Sequence, residues 1–141
     1  MTRRSLGLGL AVMATLAAPA AAADNPGKIG IELNRLEDHD GNCRASLVFR
    51  NPTGDSYSSF KLDLVVFDRA GVIAQRLAVE AAPVRSDKTE VKIFDIPHIA
   101  CAKIGSVLVN DVLACHDERG DATDCVERVT TSSKLDVSLI K

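Results

Sequence analysis

The stretch FKLDLVVFD, residues 60–68, decides the fold. Phe60, Leu62, Leu64 and Val66 occupy every second position, with Lys61 and Asp63 between them. A period of two puts successive side chains on opposite faces of an extended chain, so this run predicts a β-strand with one face in a core. The alternation continues outward on both sides. Upstream, Cys43, Ala45, Leu47 and Phe49 alternate with Arg44, Ser46 and Arg50, and Ile29, Ile31 and Leu33 open the series. Downstream, Ile73, Leu77, Val79 and Ala81 mark a fourth strand, and residues 89–96 a fifth. Pro97 ends the fifth because proline cannot donate to a ladder.

Residues 104–115 are apolar on both faces, with Val107, Val109 and Leu113 opposing Leu108, Val112 and Ala114. They predict a central strand covered on both sides. A last strand is expected to begin at Cys125, to break near Ser132-Ser133, and to be completed by Leu135, Val137 and Leu139. Polar and glycine-bearing clusters at residues 37–42, 51–55, 68–71 and 83–88 supply the turns between strands. About seven short strands with no long amphipathic helix predict a sandwich or barrel forming one domain.

Residues 1–23 have the three-part plan of a signal peptide: Arg3 and Arg4, an uncharged run over residues 5–16, then a small-residue segment ending at Ala23. Cleavage after Ala23 leaves residues 24–141 as a single β-sandwich domain of 118 residues. No cysteine stands at the cleavage point and no other stretch is long and apolar enough to span a bilayer, so a soluble periplasmic or secreted protein without a membrane anchor is expected. Losing Arg3 and Arg4 leaves 15 basic against 19 acidic residues, a formal charge of −4. Such a surface disfavours nucleic acid as a partner. Met1 and Met13 leave with the signal, which removes the thioether ligands on which exported copper carriers rely.

Four cysteines remain, an even number in an oxidising compartment, and predict two disulfides. Four thiols allow three pairings, and strand parity selects one. In an up-and-down order, Cys43 at the start of the second strand meets Cys101 in the connection after the fifth, at one pole. Cys115 at the end of the sixth strand meets Cys125 at the other pole. Joining Cys101 to Cys115 would require contact between opposite ends of one extended strand, tens of ångströms apart at ~3.3 Å per residue. No C-x-x-C is present, so a structural role for the sulfurs is expected rather than a redox one.

Few constellations carry chemistry. Residues 38–42, DHDGN, open like a calcium loop, but the glycine comes too early and Phe49 stands where a bidentate glutamate is needed. His39 and His98 fall at one pole under the parity scheme and His116 at the other. A metal site built from His39 and His98 with Asp40 is therefore the alternative to a pure binding role. No nucleophile elbow and no glycine-rich phosphate loop occurs, and bridged cysteines leave no reactive thiol, so no catalytic residue, no enzymatic activity and no cofactor are expected. The charged loop over residues 116–124, with His116, Asp117, Glu118 and Arg119 at its start, is the segment expected to meet a protein partner in the periplasm.

The segment FRNPTGDSYSSFKLDLVVFDRAGVI, residues 49–73, resembles the FxLYD type of immunoglobulin-like domain found in exported bacterial proteins, with Phe67-Asp68 as the aromatic-aspartate pair and Gly71 in the following turn. The resemblance implies an all-β, immunoglobulin-like antiparallel β-sandwich. Over nearly its full length, through LDLVVFDRAGVI, VKIFDIP and VLVNDVLAC, the chain is similar to small bacterial proteins grouped by a twin-arginine-type signal. Residues 2–8, TRRSLGL, resemble that signal, and a pair of arginines also serves general secretion. The second resemblance brings no known activity and the first bears on fold more than on role; elimination of the chemistries above leads instead to the expectation of a non-enzymatic periplasmic binding or accessory module, its partner and oligomeric state open.

Overall fold

Alternating faces and the turns between them organise the described residues, 27–141 of the computed structural model, into nine strands. They are β1 (Ile29–His39), β2 (Asn42–Asn51), β3 (Tyr57–Asp68), β4 (Ile73–Glu80), β5 (Lys88–Ile96), β6 (Ile104–Asp117), β7 (Gly120–Asp121), β8 (Val129–Ser133) and β9 (Ser138–Ile140). The expected signal peptide, residues 1–23, lies outside the described residues. One sheet has the order β5-β2-β1-β8; the other has the order β4-β3-β6, with β7 and β9 both added along the free side of β6. The two sheets face each other as a sandwich.

The core follows from parity. Ile31 and Leu33 of β1, Leu47 and Phe49 of β2, and Phe60, Leu62, Leu64 and Val66 of β3 are all buried, as the alternation requires. Phe49 and Phe60 meet edge to face at 6.4 Å, and Tyr57 packs on Phe60 at 5.3 Å, so three aromatic rings from two sheets close one end. Asp40 (φ 49°) and Gly41 (φ 79°) both take positive φ, the requirement of the tight hairpin turn that joins β1 directly to β2. At the next hairpin, Asp68 Oδ1 accepts from the N–H groups of Ala70 (2.8 Å) and Val72 (2.9 Å). The aspartate of the aromatic-aspartate pair therefore holds the β3–β4 turn.

Both disulfides form with the pairing that parity selects, Cys43 with Cys101 and Cys115 with Cys125. Asp38 Oδ1 also accepts from the Cys101 N–H at 2.8 Å, which fastens the β5–β6 connection to the first hairpin beside the bridge.

Five expectations need correction. Ile73 is 63 % exposed, because a register shift between Val66 and Phe67 turns it to the outer face. β6 is covered on one face only: Val107 and Val109 are buried, whereas Leu113 is exposed and Val112 is half-buried. Two irregularities in its pairing with β3 set this pattern, and they leave Asn110 and Leu113 unmatched across the ladder. Cys125 lies on a short 3-10 turn, Cys125–Arg128, and not on a strand. The break at Ser132-Ser133 is a change of sheet: β8 runs parallel to β1 in one sheet, and β9 runs parallel to β6 in the other. The sandwich is thus not wholly antiparallel. Nine strands replace about seven because the last expected strand divides and the 116–124 loop contains β7.

Ser133 makes the crossing possible. Its hydroxyl donates to the Val137 carbonyl at 2.6 Å and accepts from the Leu135 N–H at 3.1 Å, while the Lys134 N–H donates to the Leu33 carbonyl at 2.9 Å. Backbone groups released by leaving one ladder are thereby satisfied before the next begins.

Gly105 stands at the irregularity between Phe67 and Asp68 of the β3–β6 pairing. A methyl group there would overlap the Asp68 carbonyl oxygen and lie 3.0 Å from its carbon. Backbone cannot step aside as a flexible side chain can, so Gly105→Ala is expected to cost about 1–3 kcal/mol. Chemical denaturation of the variant should show a lowered midpoint at unchanged slope; an unshifted midpoint would mean that β6 is free to move away from β3.

Candidate functional site

The loop expected to meet a partner is a tight hairpin whose charges are largely used internally. Asp117 is buried; its Oδ1 accepts from the Arg119 N–H at 2.8 Å and its Oδ2 from Arg119 Nη2 at 2.9 Å. Arg119 Nη2 also lies 3.0 Å from Asp55 Oδ1, and His116 Nδ1 lies 2.9 Å from Asp121 Oδ1. Arg119, through its guanidinium first and its backbone N–H second, holds the Asp117 carboxyl below the usual carboxylate range. Glu118, at the tip, forms no ion pair among the described residues. The Cys115–Cys125 bridge fixes the base of the hairpin. This part of the molecule holds a shape; it offers a partner little unsatisfied charge.

The histidines are distributed as parity predicts but do not assemble. His39 Nε2 lies 3.6 Å from Asp40 Oδ2 and His39 Nδ1 lies 3.8 Å from Asp95 Oδ2. The two carboxylates therefore flank opposite ring nitrogens and cannot share one ion with this histidine. His98, at φ 57°, gives its backbone N–H to Asn42 Oδ1 at 3.1 Å. Among the described residues no group of three or more His, Cys, Asp or Glu side chains is arranged to hold a metal ion.

A different feature emerges on the outer wall of the β5-β2-β1-β8 sheet, at the end where β2 finishes and β5 begins. The register sets Thr89, Arg50, Gly30 and Thr130 side by side in one row, and Val91, Val48, Glu32 and Ser132 in the next. Gly30 has no side chain, so the first row has a notch between Arg50 and Thr130. Lys28, Lys88, Asp87 and Pro52 frame the open end, and Lys134 stands beyond Glu32. The result is a groove of about 720 Å³.

Its charge runs against that of the molecule. Lys28, Arg50, Lys88 and Lys134 line it with only Glu32 and Asp87 in opposition, in a chain whose acidic residues outnumber its basic ones. Glu32 is buried in the floor, where its Oε1 accepts from Asn34 Nδ2 at 2.9 Å and its Oε2 lies 3.3 Å from Arg50 and 3.9 Å from Lys134. The Asn34 hydrogen bond, aided by Arg50 and Lys134 against the opposing effect of burial, holds the Glu32 carboxyl below its ordinary range. Asn34 reaches it because residues two apart on a strand share a face. No protein-family model, curated protein or solved structure matches this chain. The groove is accordingly judged on its own chemistry: cations, four hydroxyl-bearing residues (Thr89, Thr130, Thr131 and Ser132) and, among the described residues, no aromatic or large aliphatic side chain in the lining.

Sequence reasoning missed the groove because its cations come from four separate places: Arg50 and Lys88 lie on β2 and β5, Lys28 precedes β1 and Lys134 follows β8. Lys28, Arg50, Lys88 and Lys134 are far apart in the chain, and each reads singly as an ordinary surface charge. Only the parallel pairing of β8 with β1 brings Thr130 and Lys134 to Arg50 and Glu32.

Carboxylates elsewhere share the depression seen at Glu32. On the opposite outer wall, Asp63 is buried beneath Arg76, whose Nε (3.0 Å) and Nη2 (2.7 Å) both donate to it, with Asn110 Nδ2 donating at 2.7 Å. Arg76 first and Asn110 second lower its pKa. At Glu80 burial raises the pKa, but the Phe60 and Ala82 N–H groups outweigh it and the net shift is downward. A carboxyl with a lower pKa in the folded than in the unfolded state adds stability above its unfolded pKa. That contribution is lost as pH falls through the folded value. Melting temperature is therefore expected to hold at neutral pH and to decline below about pH 4, the ordinary carboxylate range. Calorimetry across the acid range checks it, and a melting temperature that rises on acidification would reverse the sign assigned to these groups.

Proposed function

We propose that the protein is a non-enzymatic binding or accessory module of the periplasm, and that its recognition surface is the cationic groove over Gly30. One observation carries this reading: a concave, solvent-facing site whose lining, among the described residues, has charge and hydroxyl groups but no nucleophile hydrogen-bonded to a base. Chemistry of the acyl- or phosphoryl-transfer kind needs such a pair within hydrogen-bond reach. Holding a ligand needs only complementary groups on a rigid wall, and a four-stranded sheet supplies the wall.

Export is supported by the two disulfides, which persist in oxidising compartments, and by the signal-like residues 1–23. Among the described residues no helix is long and apolar enough to cross a membrane. One edge of the first sheet is built against strand exchange. Edge strand β5 turns Glu90 and Lys92 toward the sandwich, where Glu90 pairs with Arg85 and Lys92 Nζ donates to the Pro83 carbonyl at 2.6 Å. Charged residues turned inward on an edge discourage another strand from adding there.

The test uses a photo-reactive residue placed at Pro52, on the groove rim, or at Glu118, on the hairpin tip, in cells that export the protein. A reproducible adduct from position 52 and none from position 118 is expected. An adduct from 118 alone would return recognition to the hairpin, and none from either position in repeated experiments would contradict a binding role.

A further inference from the structure

The groove specifies more than the presence of a ligand; its lining selects a chemical class. Arg50 and Lys134 are partly engaged with Glu32. Lys28 and Lys88 line the same groove and form no ion pair among the described residues. Two uncommitted ammonium groups beside a partly neutralised guanidinium leave a positive field in a concave site, and such a site concentrates anions. Beside them, in the two rows of the outer wall, stand Thr89, Thr130 and Ser132. Hydroxyl groups both donate and accept, so they match a ligand that also does both.

The lining equally disfavours the usual protein anchor. Binding hot spots in protein interfaces are aromatic or large apolar side chains seated in desolvated pockets. Among the described residues Pro52 and Gly30 are the only non-polar ones in the lining, and none is aromatic. A volume of about 720 Å³ suits a small ligand of several rings or a short oligomer.

We infer that the groove takes an anionic, hydroxyl-rich ligand, a sugar bearing a carboxylate or a phosphate. Its charged group lies between Lys28 and Lys88, and its hydroxyls lie along Thr89, Thr130 and Ser132. This rests on the binding-module reading and adds to it the chemistry of the ligand. The notch at Gly30 has a direct purpose in this arrangement: it lets a pyranose-sized ring approach the sheet backbone between Arg50 and Thr130. A Cβ there would meet Arg50 Cβ at 3.8 Å and Thr130 Oγ1 at 3.9 Å, which is ordinary contact, so a larger side chain is compatible with the strand and would fill the notch.

The experiment is an NMR titration of the purified oxidised protein with glucuronate, glucose 6-phosphate, neutral glucose, inorganic phosphate and a short oligo-aspartate peptide. Both sugar anions are expected to shift the amides of Gly30, Thr89, Thr130 and Ser132 in the millimolar range or below, while the amides around Asp40 at the far pole stay still. The tighter of the two identifies the anionic group. Affinity should fall with added salt, because exposed charges are screened. Lys28→Ala combined with Lys88→Ala should weaken binding about tenfold at unchanged melting temperature, as expected for two exposed charges. Gly30→Leu should block binding while leaving every cation in place.

Failure of both sugar anions to shift those amides would overturn the inference. So would inorganic phosphate binding as tightly as glucose 6-phosphate, which would indicate an adventitious ion only, or oligo-aspartate binding more tightly than either sugar. Unchanged affinity in the double lysine variant would also overturn it. A photo-adduct at position 52 together with any of these results would sink the ligand class alone; loss of the adduct as well would remove the binding role.

Discussion

Replacing Cys43 and Cys101 together with alanine is expected to lower the melting temperature by roughly 15 °C. The two residues are 58 apart in sequence. Cross-linking a loop of that length removes disorder from the unfolded chain worth about 4 kcal/mol in the chain-entropy account. In a domain of this size each kcal/mol moves the midpoint by about 4 °C. Total stability of such domains is ~5–15 kcal/mol, so the bridge is a large share of it. Cys43 is fully buried, and alanine keeps the site apolar, where serine would bury an unpaired hydroxyl. The equivalent change at Cys115 and Cys125, only 10 residues apart, should cost less, about 3 kcal/mol. Calorimetry of the two double variants gives the comparison directly; equal losses would mean that loop length is not what the bridges act through.

Phe60→Ala is the core substitution with the largest expected effect, about 3–5 kcal/mol. Phe60 is fully buried, and its ring meets Phe49 from the facing sheet and Tyr57 from its own strand. Removing it leaves a void that rigid strands on both sides cannot close, so the lost contacts are added to the lost transfer energy. Phe67→Ala is the internal control. Phe67 is half-buried on the outer wall opposite Ile73, and its loss should cost roughly 1 kcal/mol. Urea denaturation of the pair tests the sandwich itself: comparable losses would mean that Phe60 does not lie between two sheets.

The strands that sequence reasoning locates best are those whose apolar residues keep a strict alternation. β2 and β3 show it at residues 43–49 and 60–66, where every apolar residue of the alternation is buried. Where the ladder slips, period-two reasoning loses a face. Ile73 and Leu113 look like core residues and are exposed, because register irregularities beside them are set by the partner strand and leave no local mark. The disulfide pairing is legible because it depends only on which end of the sandwich each cysteine occupies. Crossing from β8 to β9 is half legible: Ser132-Ser133 announces a break, but the parallel partners β1 and β6 are tertiary choices.

The same division separates the candidate sites. His39, His98, Asp40 and residues 116–119 stand out in the sequence because rare or charged residues cluster there. In three dimensions Asp117 and Arg119 neutralise each other, and the histidines present no common ligand geometry with their acidic neighbours. The groove has the opposite character. Its residues are common types, and their significance comes from four strands placing them in two adjacent rows around a glycine. Buried Asp63 behaves likewise: it reads as a solvent-facing residue of β3 and becomes buried through Arg76 on β4 and Asn110 on β6.

The polar order of the strands is the claim on which core, groove and hairpin all depend, and the bridges record it covalently. Proteolysis of the unreduced protein followed by peptide mass mapping should recover the peptide containing Cys43 joined to that containing Cys101, and Cys115 joined to Cys125. Recovery of Cys43 joined to Cys115 or Cys125, or of four free thiols, would contradict the sandwich described.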